Sequence, residues 1–258
     1  MKIVSFLLLF IVQFSFSQEI KELKTTPLDA DLFIGFDVYN NLYYVKDMTL
    51  FKKGSKGDYV YNDFELGEIA SVDIINPLNI VIFFKDTNTV VLVDNRLAEI
   101  ERFSFNNLPG FINVAAARNA GNNRLWLFNS DSQQVELYNY RTKERIPISQ
   151  PISGDVMTFT SNFNYCYLAT DTMFRIYNTY GGIVQTISIN GITNSSQYNE
   201  SLMVTDSKNL FYLKRGALEF NNIKTPTIPI SNLQLTQDFL YIYHNNIVHT
   251  FTLTQPKK

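Results

Sequence analysis

Asn79-Ile80-Val81-Ile82-Phe83-Phe84-Lys85-Asp86, then Thr87-Asn88-Thr89, then Val90-Val91-Leu92-Val93: this stretch decides the fold. Two short β-branched and aromatic runs flank a polar turn, the pattern of a β-hairpin. Both runs are continuously apolar where a strand with one wet face would alternate, so both faces of each strand must be covered. The same phrase recurs along the chain. Leu42-Tyr43-Tyr44-Val45 leads through Lys46-Asp47 to Leu50-Phe51, and Leu125-Trp126-Leu127-Phe128 through Asn129-Ser130-Asp131 to Val135-Glu136-Leu137-Tyr138. Tyr165 to Ala169 leads through Thr170-Asp171 to Phe174-Arg175-Ile176-Tyr177, and Leu202-Met203-Val204 through Thr205-Asp206 to Leu210-Phe211-Tyr212-Leu213. The last copy is Phe239-Leu240-Tyr241-Ile242-Tyr243, His244-Asn245-Asn246, Ile247-Val248-His249-Thr250-Phe251.

Six units at about 40 residues each match the repeat of a four-stranded propeller blade. Each hairpin supplies the two middle strands. Inner strands are expected over 34–37, 69–75, 112–118, 156–160, 192–197 and 233–236, and outer strands over 59–64, 99–105, 145–148, 184–189 and 218–223. The sixth unit runs out of chain before an outer strand, while residues 19–24 form a strand candidate without a unit. The prediction is an all-β, six-bladed β-propeller whose last blade is closed by the N-terminal strand, which protects edges that would otherwise stay open. Five or seven blades and a β-sandwich are the competing architectures. No segment after residue 17 holds an apolar period of 3.6 over a dozen residues, so helix content should be very low.

Asn41-Leu42-Tyr43-Tyr44-Val45-Lys46-Asp47 and Ser201-Leu202-Met203-Val204-Thr205-Asp206 resemble the repeats of NHL and YVTN propellers, where a turn leads into a strand of the "LYVxD" type. The resemblance spans nearly all of the chain beyond residue 17 in degenerate form. It implies a fold and no activity.

Met1-Lys2, an apolar run from Ile3 to Phe14, and Ser15-Phe16-Ser17 before Gln18 make a secretory leader over residues 1–17, with cleavage between Ser17 and Gln18. The run is shorter than the ~20 residues that span a bilayer. Gln18 stands where a lipid anchor would need Cys, so the expectation is a soluble, periplasmic or extracellular protein forming a single domain over 18–258. The leader ending in Ser-Gln and the abundance of Asn, Phe, Ile and Lys are similar to exported proteins of Bacteroidota. A single cysteine, Cys166, forms no internal disulfide, so the core must hold the chain together. Net charge is −2, or −3 once Lys2 leaves with the leader, and this gives no basic footprint for nucleic acid.

Asp47, Asp86, Asp131, Asp171 and Asp206, with His244 in the sixth place, recur at the middle hairpin turns. An Asp there accepts hydrogen bonds from amides two residues on and holds the turn. Read functionally, the same carboxylates share one face and attract a cation or a basic partner. Near the inner strands, Asp37, Asp73, Asn113, Asp155 and Asn194 are candidate oxygen ligands, because six-bladed hydrolases of the gluconolactonase type hold Ca²⁺ in the channel. Arg118, after three alanines, either pairs with a channel carboxylate or meets an anionic ligand. Cys166 lies between Tyr165 and Tyr167 as a buried thiol, and Trp126 between two leucines as inter-blade core. With two histidines and no Gly-x-Ser-x-Gly elbow, no catalytic residue is assigned and no cofactor or metal is expected. The reading is a non-enzymatic interaction module with a protein partner, such as an accessory or plug-like subunit of an outer-membrane secretion or assembly complex. A Ca²⁺-dependent lactonase-like hydrolase and a carbohydrate-binding propeller are the alternatives.

Overall fold

The apolar hairpins form the middle of six four-stranded antiparallel sheets. The computed structural model describes residues 19–254; the leader, 1–17, lies outside the described residues. Blade one holds β2 (Leu32–Phe36), β3 (Leu42–Lys46), β4 (Thr49–Gly54) and β5 (Gly57–Asn62). Blade two holds β6 (Ser71–Asp73), β7 (Ile80–Phe84), β8 (Thr89–Val93) and β9 (Glu99–Ser104). Blade three holds β10 (Val114–Asn119), β11 (Arg124–Asn129), β12 (Gln134–Asn139) and β13 (Glu144–Pro147). Blade four holds β14 (Val156–Ser161), β15 (Tyr165–Thr170), β16 (Met173–Asn178) and β17 (Ile183–Ser188). Blade five holds β18 (Asn194–Tyr198), β19 (Ser201–Thr205), β20 (Leu210–Leu213) and β21 (Asn221–Ile223). Blade six holds β22 (Asn232–Leu235), β23 (Phe239–His244), β24 (Ile247–Thr254) and, as its outer strand, β1 (Glu19–Pro27). Among the described residues helix is limited to one 3₁₀ turn, Phe105–Asn107.

Why the middle strands are apolar on both faces is visible in their contacts. Ile80, Ile82 and Phe84 of β7 pack with Tyr43, Val45 and Leu50 of blade one. Val81 and Phe83, the alternate residues, pack with Leu125, Leu127 and Tyr138 of blade three. The period of two is intact; it is hidden because both faces meet apolar neighbours. Corresponding clusters join blades three and four, four and five, five and six, and six and one. Six seams for six blades is a closed ring: the chain is a six-bladed β-propeller.

Closure places the two ends of the described chain side by side. β1 runs antiparallel to β24 from Ile20 opposite Leu253 to Pro27 opposite Ile247, with one bulge between Glu22 and Lys24. Leu28 N–H donates to Asn246 O at 2.7 Å, and buried Tyr243 Oη donates to Ala30 O at 2.7 Å. His249 Nδ1 meets the Glu22 carboxylate at 2.8 Å. Most of the expected inner and outer strand bounds shift by one to three residues, and two of these shifts matter. Leu218 belongs to the connection before β21, and Asp37 falls just past β2, where it builds a turn.

Tyr243→Phe should leave the ring closed but strand the Ala30 and Leu28 carbonyls in an apolar seam. A buried acceptor without its donor costs about 1–3 kcal/mol. Urea denaturation should show a lower midpoint at unchanged slope.

Candidate functional site

The inner strands of the six blades line a central cavity of about 970 Å³ that opens among the turns joining inner strands to their neighbours. An inner strand has one paired side; its other edge faces the channel and its amides and carbonyls need partners. Side chains from neighbouring blades supply them. Gln234 of blade six accepts from Phe36 N–H and donates to Phe36 O, both at 2.7 Å. Asn232 donates to Phe33 O at 2.8 Å. Ser196 accepts from Leu235 N–H at 2.9 Å, and Gln197 donates to Ser161 O at 3.1 Å. Asp73 accepts from Asn119 N–H at 2.8 Å. Five seams are stitched in this way. Between β2 and β6, at the seam of blades one and two, no hydrogen bond crosses among the described residues; Leu32, Ile34 and Ile74 pack there against the shared apolar cluster instead.

Arg118 takes part in the stitching. Its Nε donates to Phe159 O at 3.1 Å and its Nη1 reaches Val72 O at 3.4 Å. It makes no close ion pair with Asp73, although each feels the other. Burial pushes the Asp73 carboxyl up, against the opposing pull of the Arg118 charge and the amides of Ile75 and Asn119. Burial pulls the Arg118 guanidinium down, and the Asp73 charge opposes it. Asp37 is buried and saturated. It accepts from Tyr39 N–H and Asn41 N–H at 2.9 Å, from Asn41 Nδ2 at 2.8 Å and from Tyr43 Oη at 3.1 Å. Asp37 and Asp73 are thus committed to different jobs and do not converge. Asn113 pairs with Asp131 and Asn194 with Asn232, while Asp155 is exposed. Among the described residues no three carboxylate, imidazole or thiol side chains gather as metal ligands.

The recurring aspartates and His244 lie at one face, at the turns between middle strands, and mostly do something other than expected. Only Asp206 holds its own turn, accepting from Lys208 N–H at 2.9 Å and Asn209 N–H at 2.6 Å. Burial would raise its pKa, but the Asn209 side chain and these amides outweigh it and hold the carboxyl below its usual value. Asp131 reaches across to Asn113 N–H at 2.9 Å. The carboxylates of Asp47, Asp86 and Asp171 accept no hydrogen bond among the described residues and face solvent. In blades three and four the local acceptor is instead the residue two before the aspartate or the one before it: Asn129 accepts from Asp131 N–H, and Thr170 from Met173 N–H. In blade one two successive positive φ angles, at Asp47 and Met48, make the tight turn; Asn245 and Asn246 do so beside His244. His244 Nδ1 pairs with Ser231 Oγ at 2.9 Å.

The opposite face, around the channel mouth, is built differently. Asp37 clamps the turn that carries Val38 and Tyr39, which are 75% and 68% exposed. Asn76 Oδ1 accepts from Leu78 N–H at 3.1 Å and holds the turn that displays Leu78. Asn162 Oδ1 accepts from Asn164 N–H at 2.9 Å and Tyr165 N–H at 2.7 Å, bracketing exposed Phe163. Three turns on one face share one device: an Asp or Asn side chain fixes the backbone, and an apolar side chain one or two residues on points outward. The signal for it in the sequence is an Asp or Asn one or two residues before a hydrophobe in a turn. Trp126 is fully buried and donates from Nε1 to Asn162 O at 2.9 Å. Cys166 is buried in the same seam, and burial raises its thiol well above its usual value.

No family model and no curated protein sequence matches this chain. Solved structures do match in fold. A virginiamycin B lyase from Staphylococcus aureus, solved with quinupristin, is 12% identical with a TM-score of 0.61, over 86% of this chain and 80% of that one. The extracellular domain of BT4673 from B. thetaiotaomicron is 13% identical with a TM-score of 0.58, over 86% of this chain and 34% of that one. A chain of the mitotic checkpoint complex is 11% identical with a TM-score of 0.62, over 99% and 98%. At identities this low the likeness shows a shared propeller fold alone. No helix among the described residues is long and apolar enough to cross a membrane.

Two outcomes follow from the electrostatics. A carboxyl whose folded pKa is raised binds its proton more tightly folded than unfolded, so its contribution is full at low pH and is lost as pH climbs through the raised value. The stability of the wild type minus that of Asp73→Asn, from urea titrations at about pH 3 to pH 7, should therefore decrease as pH rises. The Cys166 thiol, buried and held protonated, should stay silent to a disulfide reagent at neutral pH until denaturant unfolds the chain.

Proposed function

We propose that this chain is an exported, non-enzymatic interaction module whose protein partner docks over the channel mouth. One observation carries the reading: apolar side chains from three blades, Val38 and Tyr39, Leu78, and Phe163, are presented to solvent on one face by clamped turns. Exposed apolar groups gathered on one face mark an interaction site. Clamping lowers the conformational cost of binding. The amides lining the channel serve the seams, which leaves the mouth as the face free to recognise something large.

The wider fold comparison is compatible with this role. Related propellers occur as an extracellular domain and within a multi-protein complex. The leader over residues 1–17 supports an address outside the cytoplasm. In the finer form of the proposal, the likeness to exported Bacteroidota proteins and the NHL/YVTN-like repeats favour an accessory or plug-like subunit of an outer-membrane secretion or assembly complex, held in the periplasm.

The test is crosslinking of tagged full-length protein in intact cells, followed by isolation from solubilised envelope. Tyr39→Glu with Leu78→Glu alters only exposed turn tips and should leave the melting curve unchanged while reducing the crosslinked partner at least tenfold. An undiminished yield, or no envelope partner for the wild type, would remove the mouth from consideration.

A further inference from the structure

Each blade of a propeller ends in an outer strand whose far edge is unpaired, and natural proteins guard such edges with charge, proline or shortness. Five of the six outer strands here are guarded. β1 carries Lys21, Glu22, Lys24 and Pro27, and β5 carries Asp58. β9 carries Glu99, Glu101 and Arg102, and β13 carries Glu144, Arg145 and Pro147. β21 has three residues. The sixth, β17, reads Ile183-Val184-Gln185-Thr186-Ile187-Ser188, with neither charge nor proline.

Its free edge can be assigned group by group. Ile189 N–H donates to Thr172 O, the residue in register with it. Hydrogen-bonded pairs alternate along an antiparallel ladder, so Ile187 and Gln185 also face β16, and the main-chain groups of Thr186 and Ser188 point away from the sheet. No described residue bonds to them. A bulge at Val184 ends the regular ladder and leaves Ile183 and Val184 both exposed. Beside this edge the connection before β21 is pinned by Gln185 Nε2, which donates to Ala217 O at 3.1 Å and Leu218 O at 2.8 Å. Leu218 is left 80% exposed there, and Tyr180, at the turn leading into β17, is 94% exposed.

We infer that β17 is a docking edge for an extended, uncharged segment of another protein, which adds as a fifth strand to blade four. The segment's main chain pairs with Thr186 and Ser188, and apolar residues on its two faces cover Ile183 on the flank towards blade three and Leu218 on the flank towards blade five. Charge selects the occupant: a neutral edge gives a charged strand nothing to pair with and takes its desolvation cost. Area excludes a second copy as the stable occupant. Two disc rims meeting along β17 share one six-residue strand, a strip about 20 Å long and about 5 Å wide, whose area is far short of the ~800 Å² per partner of a stable interface. A flexible segment can follow the edge and fold over both flanks. This rests on the interaction-module reading only in taking the partner to be a protein; the surface is separate from the channel mouth.

The probe is a capped peptide of alternating Thr and Val, with a version carrying a central Pro as control. Amide exchange of the wild type should slow at Thr186 and Ser188 on peptide addition and stay unchanged at Gln185 and Ile187, which are already bonded. Thr186→Pro removes an outward N–H without touching the ladder and should weaken peptide binding at least tenfold. Leu218→Ser should weaken it severalfold, and Tyr39→Glu not at all. Protection appearing at β5 or β9 instead, or equal binding of the proline peptide, overturns the assignment. So does a wild-type dimer in sedimentation that Thr186→Pro converts to monomer, since the occupant would then be a second copy. If the peptide fails while the envelope partner still depends on Tyr39 and Leu78, the docking edge alone falls.

Discussion

Every middle strand in this ring divides its side chains between two neighbours, and the rest of the structure follows from that division. Ile80, Ile82 and Phe84 belong to one seam while Val81 and Phe83 belong to the next. A blade alone would leave one of these faces in water. At roughly 25 cal/mol per Å² of apolar surface, an uncovered face is a large loss for a domain whose net stability is ~5–15 kcal/mol. The blades therefore stabilise one another in sequence, and an open end is the costliest place in the molecule. The pairing of β1 with β24 removes that end, and Tyr243, bonded to Ala30, fastens it from the buried side.

The architecture was legible because the seams are apolar. Continuous runs such as Ile80 to Phe84 announce strands covered on both faces, and an orphan strand at residues 19–24 opposite a blade short of one strand announces the closure. The inner ring was not legible. Gln234, Asn232 and Ser196 look unremarkable in their own segments, because their partners lie one repeat or nearly a whole chain away: Ser196 serves Leu235, and Gln234 serves Phe36. The recurring aspartates misled for a related reason. A turn needs a short acceptor near its start, but Asn129 and Thr170 can fill that role, which frees Asp131 to reach Asn113 and leaves Asp171 in solvent although both occupy the repeated position.

Electrostatically the channel wall is occupied with its own structure. Arg118 donates to two backbone carbonyls and Asp73 accepts two amides, so their charges hold strands in place and burial taxes both. Asp37 shows how one residue links stability to display. Its four hydrogen bonds join Tyr43 in the blade one to two seam with the turn that lifts Tyr39 into solvent. The same clamp on Leu78 and Phe163 suggests a face shaped by backbone rigidity more than by side-chain chemistry.

The stitches around the axis also differ from seam to seam: an amide reads Phe36, a carboxylate reads Asn119, a guanidinium reads Phe159, and between β2 and β6 no hydrogen bond crosses among the described residues. Although the blades look like copies, each inner strand is fitted to its particular neighbours. Transplanting, duplicating or deleting one blade would juxtapose donors with donors and bare carbonyls with aliphatics. The repeat has lost its modularity, and the number six is written into the polar lining of the axis as firmly as into the hydrophobic seams.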